Sequence, residues 1–277
     1  PSAPSAPRTW KKQPKLGSPE RPRPPPTFVR PPSPPESPET FKNMVLLVDK
    51  PRGYTSFDVV ARVRGIARRM GVKKVGHCGT LDPMATGVLV LCVGQATKLV
   101  DSYTGMDKAY VGTMKLGERT PSQDADTAPD ATFPWEGIAD DELRDAAAKL
   151  VGDLKQLPPM YSAIKVKGKR LYESARKGEV VERKTRDVRV DAFEVERDAT
   201  NRQLVHFKVE CGKGTYVRTL AHDLGESLGS AAHLTALRRV RVGEYDVDDA
   251  WTIDMLNDAC APMVEAAEDA KAAAAAA

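Results

Sequence analysis

The sequence of 277 residues has few cysteines and no long apolar run. Its four cysteines, at 78, 92, 211 and 260, form no Cys-x-x-Cys pair and have no histidine at zinc-finger spacing. Neither a disulfide framework nor a structural zinc is therefore expected. No apolar run approaches the roughly 18–20 residues that cross a bilayer, so we expect no membrane anchor. Because 41% of the residues are hydrophobic, the chain can bury a core, which excludes full disorder.

Proline is abundant only in the first part of the chain, where aliphatic residues are scarce. Residues 1–39 hold 14 of the 22 prolines, and residues 1–43 hold eight Lys or Arg against three Glu. We assign residues 1–41 to a proline-rich basic tail, extended or polyproline-like. It is either a spacer left by a removed targeting peptide or, as we favour, a segment that a protein partner or large assembly orders.

The remaining residues, 44–277, carry 34 basic and 35 acidic side chains. A nucleic-acid surface there requires basic residues to be gathered on one face. Apolar patterning predicts interspersed strands and helices without regular βαβ alternation. The predicted strands are 44–48, 88–93, 110–116, 188–196 and 203–211; the predicted helices begin at Thr55 or Ser56 and cover 143–150, 216–228 and 233–240. This order favours an α+β fold with flanking helices on a largely antiparallel mixed sheet.

The densest group of unusual residues is the segment 76–87, which contains three glycines, one histidine, one proline and a single carboxylate, Asp82. Such a loop lets a ligand approach the backbone closely. Asp82 precedes Pro83, which biases its backbone away from the helical region and restricts the direction of its side chain. On this loop alone, an ordinary turn residue is the more common interpretation.

Three further clusters carry possible chemistry. Residues 211–219 end a strand in a glycine turn and open a helix, which suits an anion. Tyr110 begins a strand, where a core or rim position is the usual role. Residues 165–189 hold ten Lys or Arg against four acids, with Tyr161 and Tyr172 close by. Cations beside flat rings suit RNA as well as they suit a solvated surface.

Together, the motifs LLVDKPRGYTSFDVV, GHCGTLDPMATG, DKAYVG, PPMYSAIKVKGKRLYESARKG and GKGTYVRTLAHDLGESLG resemble the TruB-type tRNA pseudouridine synthases. The resemblance covers about residues 44–251. It implies the pseudouridine synthase fold with a central RNA-binding cleft, and isomerisation of a uridine, typically in the tRNA T-arm. It also implies that no metal or organic cofactor is needed.

The resemblance assigns roles residue by residue. Asp82 matches the attacking carboxylate, Arg218 its cationic partner and Tyr110 the ring stacked on the target base. Attack at C6 of the base and attack at C1′ of the ribose both remain open. The implied substrate-binding residues are His77, Gly79, Thr80, Tyr216, Leu237 and Lys98. The implied contacts to the RNA backbone are Arg62, Arg68, Arg69, Lys73, Lys74, Lys165, Lys169 and Arg170.

We therefore expect a catalytic domain over residues 42–251 and a short extension over 252–277 that does not form the complete C-terminal RNA-binding domain usual in bacterial members. The tail and the character of the motifs predict an organelle, plastid or mitochondrion. One alternative is a structural or assembly subunit of a large RNA–protein particle, with catalysis secondary or lost. A third hypothesis is that the protein is a guide-RNA-dependent synthase.

Overall fold

The computed structural model describes residues 24–166 and 168–276. The strands are β1 (Thr27–Val29), β2 (Asn43–Lys50), β3 (Val75–Cys78), β4 (Thr86–Gly94), β5 (Lys108–Leu116), β6 (Glu118–Arg119), β7 (Ala131–Thr132), β8 (Gly152–Gln156), β9 (Lys165–Val166), β10 (Lys169–Arg170), β11 (Arg186–Arg197), β12 (Leu204–Cys211), β13 (Ala232–Val242) and β14 (Tyr245–Asp246). The helices are α1 (Ser56–Arg69), α2 (Val100–Gly105), α3 (Asp140–Ala148), α4 (Leu171–Ala175), α5 (Val217–Ser227) and α6 (Ile253–Ala276). Short 3₁₀ helices cover Pro38–Lys42, Gln95–Leu99 and Val247–Asp249.

One ten-stranded sheet organises the described residues, in the order β1-β2-β4-β13-β5-β12-β11-β8, with β3 paired to β4 and β14 to β13. The β1/β2 and β4/β13 pairs are parallel and the other pairs are antiparallel. Helices α1 and α6 pack beside β2 and β4, whereas α3 and α5 pack beside β5, β12 and β13. The predicted α+β fold is confirmed.

Helix α1 begins where its sequence signal predicts. The Thr55 hydroxyl accepts the Asp58 amide hydrogen at 3.1 Å, and the Asp58 carboxylate accepts the Thr55 amide hydrogen at 2.8 Å. This capping box satisfies two of the backbone donors that a helix start leaves free. Val59, Val63 and Ile66 then face the sheet and are buried there.

The helix predicted over residues 233–240 is wrong, because this segment lies inside β13. Leucine, alanine and arginine favour a helix locally, yet β13 pairs with both β4 and β5 in the middle of the sheet. Two register shifts, between Leu234 and Ala236 and between Arg239 and Arg241, bend the strand and disturb its alternation. Tertiary pairing overrides helix propensity at this position.

The domain begins before the predicted boundary at residue 42. Strand β1 extends the sheet at the β2 edge, and Val29 and Phe41 are buried. The Trp251 indole donates to the Val29 carbonyl at 3.3 Å, and Arg30 pairs with Asp249 at 3.2 Å. Residues 24–41 of the predicted tail thus pack on this domain itself, while its residues 1–23 lie outside the described residues.

Residues 253–276 form helix α6, which packs along α1. Leu256 and Cys260 are buried in the core shared with α1 and β2. The Arg69 guanidinium meets the Glu268 carboxylate at 2.7 Å. Within residues 24–166 and 168–276, no helix combines the length and the apolar character that crossing a membrane requires.

Candidate active site

The catalytic loop, residues 79–85, connects β3 to β4 and carries Asp82. Gly79 has φ +87°, a conformation that glycine adopts without strain. Ser56, the first residue of α1, holds the loop through two hydrogen bonds. Its hydroxyl accepts the Leu81 amide hydrogen at 2.8 Å and donates to the Leu81 carbonyl at 3.1 Å. The Ala85 amide donates to the Asp82 carbonyl at 3.1 Å and closes the turn. The backbone around Asp82 is therefore held at several points.

The turn between β2 and α1 is also held by a buried cation, Lys50. Lys50 donates to the carbonyls of Pro51 at 2.9 Å and Tyr54 at 2.6 Å, and reaches that of Pro83 at 3.4 Å. Burial lowers the pKa of Lys50 to about 8, and the neighbouring Asp82 opposes that shift. Lys50 thus joins the β2–α1 turn to the catalytic loop.

Arg218, in the first turn of α5, forms an ion pair with Asp82. Its Nε lies 3.0 Å from Oδ2, and its Nη2 donates to Oδ1 at 3.2 Å. The arginine side chain is only 3% exposed, whereas that of Asp82 is 35% exposed. A planar guanidinium matches a carboxylate through two contacts, which fixes the direction of the acid as well as its charge.

A second carboxylate, Asp124, holds the far side of the same guanidinium and was not predicted. Its Oδ2 lies 3.3 Å from Arg218 Nη1, and its side chain is 3% exposed. Arg218 also donates to the Ser122 carbonyl at 2.9 Å and the Tyr161 carbonyl at 2.8 Å. Asp124 lies in an acidic stretch that looks like an ordinary solvated loop, so the sequence carries no local signal for it.

The charge of Asp82 reflects opposing effects. Burial raises the pKa of Asp82, Arg218 lowers it most among the neighbouring charges, Asp124 and Asp126 raise it, and Lys50 lowers it. A nucleophilic carboxylate must be ionised. Arg218 therefore favours the ionised form of Asp82, because it opposes the protonation that burial favours.

Tyr110 is the third residue of β5 and is buried beside Arg239, another unpredicted residue. Burial raises the pKa of the Tyr110 phenol, and the Arg239 cation partly offsets that effect. Arg239 is 1% exposed, and it donates to the Gly79 carbonyl at 3.1 Å and the Val88 carbonyl at 2.8 Å. Arg239, a buried side chain on β13, thus connects the start of the catalytic loop to β4.

These residues surround a cavity of about 240 Å³. Six of the residues predicted to bind or react with substrate line it together: Thr80, Asp82, Tyr110, Tyr216, Arg218 and Leu237. The lining also includes Lys108 and Ser162, which were not predicted as site residues. Burial lowers the pKa of Lys108 to about 8, and its ammonium donates to the Thr104 carbonyl at 2.6 Å and to that of Met106.

Three of the predicted substrate-binding residues do not line this cavity. His77 lies in β3 opposite Leu91, and burial lowers the pKa of its imidazole, which favours the neutral ring. Gly79 contributes its carbonyl to Arg239. Lys98 lies in the 3₁₀ helix beyond the far end of β4, about 25 Å along that strand from the catalytic loop. Lys98 is therefore distant from Asp82, and its role in substrate binding, which we expect through an RNA phosphate, stays a prediction.

The predicted RNA-backbone residues are exposed, but they form two separate groups. Arg62, Arg68, Arg69, Lys73 and Lys74 belong to α1 and the turn after it, and Lys165, Lys169 and Arg170 belong to the β9–β10 hairpin. In the first group Arg69 is already paired with Glu268 of α6. In the second, the Arg170 guanidinium lies 5.9 Å from the centre of the Tyr172 ring. The roles of all eight in RNA binding stay predictions.

Comparison with known proteins gives this architecture a family. Residues 67–217 match the family model described as TruB family pseudouridylate synthase (N terminal domain), and residues 218–274 match that of the tRNA pseudouridylate synthase B C-terminal domain. The tRNA pseudouridine synthase B of Opitutus terrae is 50% identical over 221 residues, which cover 80% of this chain and 90% of that protein. Its counterpart in Chlorobaculum tepidum is 46% identical over 215 residues, covering 77% and 89%.

Solved structures of related proteins agree. A Cbf5-Nop10-Gar1 complex contains a chain 29% identical to this one, with a TM-score of 0.59 over 82% of this chain and 60% of that chain. An H/ACA RNP bound to a substrate RNA containing 2′-deoxyuridine gives 27% identity and a TM-score of 0.55 over 76% and 51%. This chain thus spans about 60% and about half of those two chains.

The fold and the cavity are those of a pseudouridine synthase, which is an isomerase. Within that class, this chain belongs to the TruB family of tRNA pseudouridine synthases. The family match also continues to residue 274, so the predicted end of the resemblance near residue 251 was too early.

Proposed function

We propose that this chain converts one uridine in the T-arm of tRNA into pseudouridine. The observation that carries the proposal is the contact between Asp82 and the buried Arg218, 3.0 Å apart, in a cavity with room for a single pyrimidine nucleoside. The relatives named tRNA pseudouridine synthase B support tRNA as the RNA. Because these relatives are named as enzymes, an enzyme is favoured over a purely structural subunit.

The chemistry needs only side chains and the RNA. The Asp82 carboxylate attacks the nucleotide, the bond from C1′ to N1 breaks, and the base turns within the cavity. A bond from C1′ to C5 then forms, the bond between Asp82 and the nucleotide breaks, C5 loses its proton, and N1 gains one. The carboxylate is thereby restored, and substrate and product are isomers. Attack at C6 and attack at C1′ both use the same ionised Asp82, and Arg218 favours that ionised form against the larger effect of burial, which raises the pKa of Asp82.

A base stacked in a folded RNA cannot reach Asp82, because the cavity lies among α5, β5 and the segment around Ser162. The target nucleotide must therefore be flipped out, at a cost of a few kcal/mol. Contacts between the exposed lysines and arginines and the phosphates would offset that cost. Tyr110 and Leu237 offer apolar surface to the inserted ring.

An unmodified tRNA transcript tests the proposal directly. After incubation with the wild-type protein, carbodiimide mapping should show one pseudouridine, in the T-arm. A transcript with cytidine in place of that uridine should show none. A T-arm that stays unmodified while the protein binds the transcript would contradict the proposal.

We further propose, from composition alone, that the protein acts in a plastid or mitochondrion and that the proline-rich tail before residue 24 binds a protein partner. One Cbf5 structure contains Nop10 and Gar1 and another contains Nop10, which supports the idea that a synthase of this fold can hold protein partners. A fluorescent fusion carrying the complete N-terminal region tests the location. Uniform fluorescence in the cytosol would contradict it.

A further inference from the structure

Almost every buried polar side-chain atom around the active-site cavity already has a partner. Arg218 Nε makes no hydrogen bond of good geometry, but the opposite charge of Asp82 Oδ2 lies 3.0 Å away and compensates it. The Lys108 ammonium is bound by two backbone carbonyls. The exception is Ser162, a residue that is 4% exposed. Among the described lining residues, its Oγ is the buried side-chain oxygen that makes no hydrogen bond. A buried hydroxyl without a partner is costly, so its presence at a binding cavity points to a ligand.

The backbone around Ser162 is fixed on both sides. The Ser162 carbonyl accepts from the Tyr172 amide at 3.1 Å, and the Ile164 carbonyl accepts from the Leu171 amide at 2.8 Å. On the other side, the Tyr161 carbonyl accepts from Arg218 Nη2 at 2.8 Å. The start of α4 and the catalytic arginine therefore set the position of Ser162, and its hydroxyl needs only to rotate to meet a ligand.

The nearest alternative partner is the Tyr216 hydroxyl. Ser162 and Tyr216 line the same cavity. Burial raises the pKa of Tyr216, and the Ser162 side chain partly offsets that shift. No hydrogen bond of normal length and angle joins them. Two hydroxyls thus converge on the wall of one cavity without satisfying each other, an arrangement suited to the polar edge of a planar base.

We propose that the Ser162 hydroxyl hydrogen-bonds the ring edge of the flipped uracil base; the inference rests on the proposed function. A uracil edge presents the N3–H donor between the O2 and O4 acceptors. A serine hydroxyl both donates and accepts, so it can pair with any of the three. The bond is to atoms that do not react, which makes Ser162 a residue that binds and orients the base.

Ser162→Ala tests the proposal through two measurements. The first is kcat/KM on the tRNA transcript, followed by tritium release from C5-labelled uridine. Loss of one neutral hydrogen bond should lower kcat/KM about threefold to tenfold. The second is the unfolding temperature of the free protein, which should not fall, because the variant removes an unsatisfied buried hydroxyl. A residue with a structural role would give a lower unfolding temperature.

Ser230→Ala provides the matched control. Ser230 is also buried with an unpartnered hydroxyl, but it does not line the cavity. This variant should keep the wild-type kcat/KM. Two results would overturn the assignment of Ser162 and leave the proposed function intact. The first is an active wild-type protein whose kcat/KM the Ser162→Ala variant matches within twofold. The second is an unfolding temperature that falls in Ser162→Ala but not in Ser230→Ala. A wild-type protein that binds the transcript and releases no tritium would overturn both.

Discussion

Replacement of Arg218 by lysine separates its charge from its shape. The guanidinium reaches Asp82, Asp124 and the carbonyls of Ser122 and Tyr161 at 2.8 to 3.3 Å. A lysine ammonium keeps the positive charge but has three donors on one atom, so it cannot reproduce four contacts spread around a planar fork. The variant tests whether the cation must be held in this geometry.

The expected loss can be worked from these contacts. At least two of the four are lost, and hydrogen bonds to charged groups contribute about 1.5–3 kcal/mol each. A loss of roughly 3 kcal/mol at the reacting carboxylate corresponds to a fall of about a hundredfold or more in kcat/KM. Because Arg218 lowers the pKa of Asp82, the acidic limb of the pH–rate profile should also move to higher pH.

Tritium release from C5-labelled uridine in a tRNA transcript, measured from pH 5 to 9, gives both quantities. Arg197→Lys is the matched control, since Arg197 is also 3% exposed and holds Asp140 at 2.7 Å together with the Ile138 carbonyl. This control should lose stability and keep its turnover. A folded Arg218→Lys protein with the wild-type rate and pH profile would refute the assignment of Arg218.

Gly87→Ala should disrupt the pairing of β4 with β13 and strongly destabilise the protein, because φ is +107° and a Cβ atom would lie 2.1 Å from the Arg239 carbonyl oxygen. Gly65→Ala in α1, where a Cβ atom meets nothing within 4 Å, should instead stabilise the protein by up to about 1 kcal/mol; urea unfolding of both variants checks this pair, and equal stabilities would contradict it. Burial raises the pKa of Asp223 to about 6, because the buried site favours the neutral carboxyl group. Protonation of Asp223 therefore stabilises the folded state fully below pH 4, and this stabilisation is lost as the pH rises through 6. Asp223→Asn should therefore unfold at a higher temperature than wild type at pH 7 and at the same temperature near pH 4, whereas a constant difference across that range would contradict the raised pKa.

Regular patterning made most of the fold predictable. The predicted strands 188–196 and 203–211 are paired in the antiparallel β11–β12 hairpin, and Thr55 caps α1 as its sequence suggests. The segment 233–240 was predicted incorrectly, because its strand pairing depends on β4 and β5, which are distant in the chain. Residues 24–41 were assigned to the tail because their composition is proline-rich, yet Val29 and Phe41 are enough to dock them.

The candidate site was predictable where its residues lie in continuous motifs. Asp82, Tyr110 and Arg218 each stand in such a motif, and the structure brings them to one cavity. Asp124 and Arg239 were missed since their importance comes from burial against partners far away in sequence, which no local pattern reports. The sequence therefore identifies the candidate reacting groups better than the residues that hold them in place.

Asp82→Asn, assayed under single-turnover conditions with saturating protein, tests the central claim most directly. The asparagine keeps the size of the side chain and removes its negative charge. We expect the variant to bind the tRNA transcript as the wild type does and to form no detectable pseudouridine, while the wild type converts its T-arm uridine. Pseudouridine formed by the variant at a rate close to that of the wild type would contradict nucleophilic attack by Asp82.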